Sequence, residues 1–223
     1  MSDDSFIREV DEELRQDQIK SLWDKYGRYA IGVAVLIVLA TAGYRGWEYY
    51  SDSRAASSGD RYLAALDKSD AGNADEAIAE LEELAGAGSG QYPALARMRI
   101  GAELAGKGDK EGAIAQFDAI ADDSGFDETL RNVARLRAGY LAVDVESFDQ
   151  VKQRLEPLAA AGGQYRSLAR EALGLSALKA GELQAAHDWF SQISNDAGAT
   201  QNVRRRAAII LDYLAGKGVS AAS

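Results

Sequence analysis

Apolar positions along the chain fall into three regimes. Near the N-terminus they recur among charges at helical spacing. Ile7, Val10, Leu14, Leu22 and Tyr26 lie three, four or eight residues apart, with Gln18 interrupting the stripe and Phe6, Ile19 and Trp23 beside it. Tyr29 to Tyr44 then reads YAIGVAVLIVLATAGY, sixteen residues without a charge. Beyond it, short amphipathic stretches alternate with turn-forming runs such as Ala71-Gly72-Asn73, Gly106-Lys107-Gly108-Asp109, Ala161-Gly162-Gly163 and Ala180-Gly181-Glu182. This pattern predicts helices over about 53–69, 73–86, 91–106, 109–122, 127–143, 147–160, 164–180, 182–194 and 200–215.

The later helices repeat. A small residue in one helix is followed twelve residues on by a second apolar residue, and four further by a bulky one. The four copies are Ala65/Ala77/Leu81, Gly101/Ala113/Phe117, Gly139/Val151/Leu155 and Gly174/Ala186/Phe190. Seven residues after each second position comes another apolar side chain: Leu84, Ile120, Leu158 and Ile193. The copies step by 36, 38 and 35 residues, close to the tetratricopeptide period of about 34. Small residues let helices A and B of one repeat approach, and the bulky residue one turn later is expected to fill the groove between this repeat and the next. One such pair cannot bury its apolar face alone, so pairs must stack. The last helix has no B partner and is expected to cap the array, with Arg204, Arg205 and Arg206 on its solvated side. Tyr92 and Tyr165 each open an A helix after a turn. They either pack on the preceding B helix or line a peptide groove.

The uncharged run predicts a membrane span. Sixteen helical residues reach about 24 Å, short of a hydrocarbon core of roughly 30 Å. Arg28 and Arg45 can snorkel outward, and Trp23, Tyr26, Tyr29, Tyr44, Trp47, Tyr49 and Tyr50 supply aromatic belts. The anchor residues are therefore Trp23, Tyr26, Arg28, Tyr44, Arg45 and Trp47. A buried core helix would not need such brackets. A cleaved signal peptide fits poorly, although Ala40-Thr41-Ala42 resembles a cleavage site, because the preceding 28 residues are long and acidic. Arg15, Lys20, Lys25 and Arg28 precede the run, against Arg45 and Arg54 after it. This asymmetry favours a cytoplasmic N-terminus, leaving the repeats on the outer side of the membrane. The N-terminal stripe reads either as a surface-lying helix or as a docking helix for a membrane partner. The expected organisation is an amphipathic helix over 1–28, a span over 29–47, a repeat domain over 48–215 and a disordered tail over 216–223.

Composition supports an all-α chain with a single transmembrane helix followed by a TPR-like α-solenoid of about four helix pairs and a capping helix. Ala, Leu, Glu, Gln, Lys and Arg dominate, and only Pro93 and Pro157 interrupt. A net charge of −10 opposes nucleic-acid binding, since phosphate requires a basic face. There is no cysteine and one histidine, His187, which removes thiol chemistry and makes a metal site improbable. The carboxylates Asp75-Glu76, Glu80, Glu82-Glu83 and Asp122-Asp123 read as a solvated face. Gly106-Lys107-Gly108 lacks the strand and spacing of a phosphate loop. No cofactor, no metal and no catalytic group is expected.

The run Trp23-Asp24-Lys25-Tyr26-Gly27, the apolar segment, and Gly46-Trp47-Glu48-Tyr49-Tyr50 ahead of helical repeats resemble the YfgM family. The likeness runs from about Ile19 to Leu214. It implies an inner-membrane, single-pass protein with its N-terminus in the cytoplasm and its repeats in the periplasm. It further implies Sec translocon subunits, periplasmic chaperones and inner-membrane lipid as partners, with no catalytic residues. The acidic N-terminal segment, Ser5 to Lys20, departs from the family pattern.

Two functions follow as expectations. One is an accessory translocon subunit linking emerging polypeptides to periplasmic chaperones. The other is a structural scaffold of a different envelope complex, such as a cell-division assembly. Residues on A helices, namely Arg97, Arg131, Arg135, Tyr140 and Arg170, are the candidate protein contacts, chosen by helix position.

Overall fold

The computed structural model describes the backbone from residue 3 to residue 219, and the side chains from Trp23 onward except those of Asp24 and Ala30. Among the described residues the regular structure is nine helices: α1 Asp3–Asp70, α2 Ala74–Ala87, α3 Tyr92–Gly106, α4 Lys110–Ala121, α5 Glu128–Val145, α6 Phe148–Ala159, α7 Arg166–Ala180, α8 Leu183–Ser194 and α9 Gln201–Gly216. The chain divides into two compact units, 1–54 and 55–223. Side chains of the N-terminal stripe up to Leu22, and residues 220–223 of the expected tail, lie outside the described residues.

The first unit is a stretch of α1. It contains the one helix among the described residues that is long and apolar enough to cross a membrane, with a mean hydropathy of 1.5 over its most apolar window. Every side chain from Ile31 to Tyr44 is exposed. A soluble core helix would cover such a run, because leaving large aliphatic groups in water forfeits about 1.5–3 kcal/mol each. The flanking aromatics carry cations on their faces. Lys25 lies 5.4 Å from the Tyr26 ring centre, Arg28 5.0 Å from Tyr29, and Arg54 4.7 Å from Tyr50. Arg45 pairs with Glu48 at 2.8 Å. Trp23 folds over Gly27, where any Cβ would meet the indole at 3.2 Å.

The separate helix expected over 53–69 is the continuation of α1. No proline and no left-handed residue falls between Tyr44 and Asp70, and the serines of 51–58 leave the helical ladder intact. The helix stops where Gly72 adopts a φ of +86°, a backbone region open to glycine at little steric penalty. The remaining helices fall within about two residues of their expected limits. Asp109 caps α4 through the Gly112 amide, and Asp127 caps α5 through the Leu130 amide. Ser147 and Gln150 form a reciprocal capping box at α6.

In the second unit the repeat is visible as packing. Ala65, Ala77 and Leu81 of the first copy are buried, as are Ala113, Phe117, Val151, Leu155, Ala186 and Phe190 of the others. A Cβ on Gly101 would sit 2.7 Å from Phe117 Cζ, and one on Gly174 would sit 2.7 Å from Phe190 Cε2. Gly139 lies as closely under Leu155. These three glycines are what allow each A helix to touch its own B helix. Leu84, Ile120, Leu158 and Ile193 are buried as well.

Candidate protein-binding face

Helices of the second unit pack in chain order, each against its predecessor and successor. Superimposed on this, α5 touches α7 and α7 touches α9, whereas no comparable packing joins α2, α4, α6 and α8 among the described residues. The A helices α5, α7 and α9 therefore touch directly in turn, whereas among the described residues the B helices show no comparable contact.

Three of the five candidate contacts are tied into the stack. Tyr140 on α5 donates its hydroxyl to the Leu168 carbonyl at 3.1 Å and to Glu171 at 3.0 Å. Glu171 is buried on α7 and also receives Arg206 of α9, at 2.5 and 2.7 Å. One carboxylate thus joins α5, α7 and α9. Burial, reinforced by the Glu171 charge, pushes the Tyr140 hydroxyl far above its ordinary value and keeps it a donor.

Arg170 is buried and donates to the Ala159 carbonyl at 3.0 Å. It shares Asp196 with Arg166, whose two bonds to that carboxylate measure 2.6 and 2.8 Å. The Arg166 guanidinium holds the Asp196 carboxyl down to about 2, against the opposing effect of desolvation. Arg135 donates to the Ala121 carbonyl at 3.2 Å and lies 3.7 Å from Asp122. Arg97 and Arg131 are half-buried and form no ion pair among the described residues. The structure thus ties Tyr140 and Arg170 into separate polar clusters and does not bring the five together.

Of the arginine triplet of α9, Arg205 and Arg206 are exposed, as expected, and Arg204 is half-buried. Arg204 donates to the carbonyls of Asp196 and Ala197, each at 3.3 Å, and Arg206 turns to Glu171. Arg205 forms no ion pair among the described residues. Tyr92 packs against the cluster that holds Leu81 and Leu84 of the preceding B helix α2, and it also touches α1. Its ring centre is 6.2 Å from that of Tyr62, and its hydroxyl lies against Gly59. Tyr165 is half-buried against the core cluster that spans α4 to α7.

Several ties escaped the reading of single residues. Arg154 of α6 bridges Asp118 of α4 and Glu146, and burial raises the Asp118 carboxyl although Arg154 opposes the shift. Lys110 pairs with Asp144 at 2.6 Å, and Ser69 bonds Glu103. Arg154–Asp118, Lys110–Asp144 and Ser69–Glu103 stand 34 to 36 residues apart, as do Glu171 and Arg206. Polar or oppositely charged partners one repeat apart are the signal that finds them.

Open clefts between the helices are polar. One of about 540 Å³ is lined by Asp118, Arg135, Glu146 and Arg154, and another of about 520 Å³ by Arg166, Arg170 and Asp196. Their charges are already paired internally, so the clefts offer no enclosed chamber for a small substrate. Among the described residues no group of His, Asp and Glu stands close enough to hold a metal ion.

Comparison with known proteins agrees with this architecture. The chain is 25% identical over 189 residues to the ancillary SecYEG translocon subunit of Escherichia coli (strain K12), covering 82% of this chain and 89% of that protein. The resemblance to the YfgM family is thereby supported. A family model described as a tetratricopeptide repeat-like domain matches residues 20–216, from the segment before the apolar run through the last helix. The chain belongs to the tetratricopeptide repeat-like domain family.

Proposed function

We propose that the protein is a non-catalytic, membrane-anchored adaptor that serves the Sec translocon as an accessory subunit. In this reading the N-terminus is cytoplasmic and the repeat unit stands in the periplasm of a bacterial inner membrane. There it passes emerging polypeptides to periplasmic chaperones. The supporting observation is the union, in one chain, of a helix able to cross a membrane with stacked repeat pairs, in a chain similar to a translocon subunit over 82% of its length. Stacked A helices offer side chains to extended or helical peptides, and anchoring raises their concentration beside membrane partners. Arg97 and Arg131, free of internal ion pairs among the described residues, are the A-helix positions best placed to contact such partners.

Crosslinking of the full chain in membranes, followed by mass spectrometry of the trapped proteins, tests the proposal. Recovery of translocon subunits together with periplasmic chaperones is expected. Charge reversal by R97E and R131E should reduce the chaperone yield and leave the translocon yield unchanged. Recovery of one other envelope complex, with neither class present, would replace the adaptor by a scaffold of that complex.

A further inference from the structure

The last helix leaves one face bare. In the repeats before it, each A helix is covered by the B helix that follows: Phe117 covers Gly101, Leu155 covers Gly139 and Phe190 covers Gly174. The A helices α7 and α9 are related by 35 residues, as the Glu171–Arg206 pair records. By that step Ile209 occupies the place of Gly174, and Asp212 that of Ala177, which clusters with Ala186 of α8. No B helix follows α9 among the described residues. Ile209 is accordingly 61% exposed and Tyr213 51% exposed.

The bare face has a definite order of charges. Val203, Ala207 and Leu214 are buried, while Gln201, Asn202, Arg205, Ala208, Ile209, Asp212, Ala215 and Gly216 are exposed. Along its centre runs Arg205, then Ala208 and Ile209, then Asp212. Arg205 and Asp212 are seven residues apart, about 10 Å along the axis, too far to pair with each other. Neither forms an ion pair among the described residues. A two-fold axis between positions 208 and 209 places each Arg205 opposite the other copy's Asp212, and each Ile209 opposite the other copy's Ala208. A parallel pairing would instead set Arg205 against Arg205 and Asp212 against Asp212.

We propose that α9 is a homodimerisation face, on which a second copy of this chain lays its own α9 antiparallel, joined by two reciprocal Arg205–Asp212 pairs around an Ile209–Ala208 centre. Ile209 stands where the intrachain pairs have glycine, so the two α9 helices lie farther apart than an A helix lies from its own B helix. One helical face is smaller than a standard interface, so the contact is weak in dilute solution and is best trapped covalently.

The chain lacks cysteine, so single thiols report without background. Full-length protein in membranes carrying A208C, treated with a short bis-maleimide, should give a covalent dimer. A215C alone should not, whereas N202C with A215C should. Adding R205D to A208C should lower the dimer yield about tenfold, and R205D with D212R should restore it. These positions are exposed, so folding is not at issue. The proposal is overturned if A208C yields no more dimer than the exposed α6 position E156C, if A215C links to itself, or if A208C captures a different protein instead of a second copy. Failure of the charge exchange to restore the yield would overturn the pairing as well.

Discussion

Asp196 sits at the end of α8 and receives Arg166, Arg170 and the amide of Gly198, the last at 2.8 Å. Its carboxyl, held down to about 2, lies below the unfolded value of about 3.9. A depressed carboxyl stabilises the fold above the unfolded value, and that contribution is lost as pH falls from about 4 toward 2. D196N should therefore lower the unfolding free energy by about 1–3 kcal/mol at pH 7, since Arg170 is left buried without its counter-charge. The gap between variant and parent should narrow between pH 4 and pH 2. Urea titrations at stepped pH read this directly, and an equal gap at pH 7 and pH 2 would contradict it. Asp118 has the opposite sign. Burial raises its carboxyl, so its protonation on acidification favours the folded chain. Neither role was legible from the residue alone. A carboxylate beside a turn and one on a helix face look alike in sequence. The partner, one repeat away or across a turn, decides which way each titrates.

Helices were the most legible level. Gly101, Gly139 and Gly174 marked the crossings, whereas Phe117, Leu155 and Phe190, expected between successive repeats, lie on the glycine of their own repeat, because a small residue and its bulky partner are both dictated by one interhelical distance. The junction near Ser51 to Ser58 was less legible, since serines that merely face water look the same as serines in a loop. At this scale G174A is informative. Its Cβ would meet Phe190 at 2.7 Å, and overpacking of this kind costs about 1–3 kcal/mol. Thermal unfolding should show a lowered midpoint for G174A, with part of the loss recovered in G174A/F190L. A midpoint matching the parent would mean that α7 and α8 are not held at that separation. The capping box of α6 offers an independent check. S147A removes the oxygen that accepts from Gln150 N, for which about 0.5–2 kcal/mol is expected.

For the molecule as a whole, the exposed apolar run from Ile31 to Tyr44 determines where the chain resides. Two acidic substitutions in it, V35D with L39D, each oppose insertion by about 2.5–3.5 kcal/mol near the membrane centre. Carbonate extraction of cells making this variant should move the protein from pellet to supernatant, while the parent stays in the pellet. Retention of the variant in the pellet would mean that something other than the run anchors the chain. The span and the repeat architecture were both readable from hydrophobic pattern. The face that works was not, because the positions along an A helix, Tyr140 and Arg170 among them, serve the seam between repeats as readily as a partner.

Packing in chain order bears on how the protein comes to be folded at all. Each helix of the second unit finds its main neighbours immediately before and after it in the sequence, so few contacts wait for distant segments and loop closure is a minor barrier. Glu171 is an exception, since its carboxylate waits for Arg206. As the chain emerges residue by residue, each pair can condense on the one already formed, and the arrival of α9 gives Glu171 its cation. Premature termination upstream of Arg206 would leave a buried carboxylate without its cation, a built-in mark of an unfinished chain.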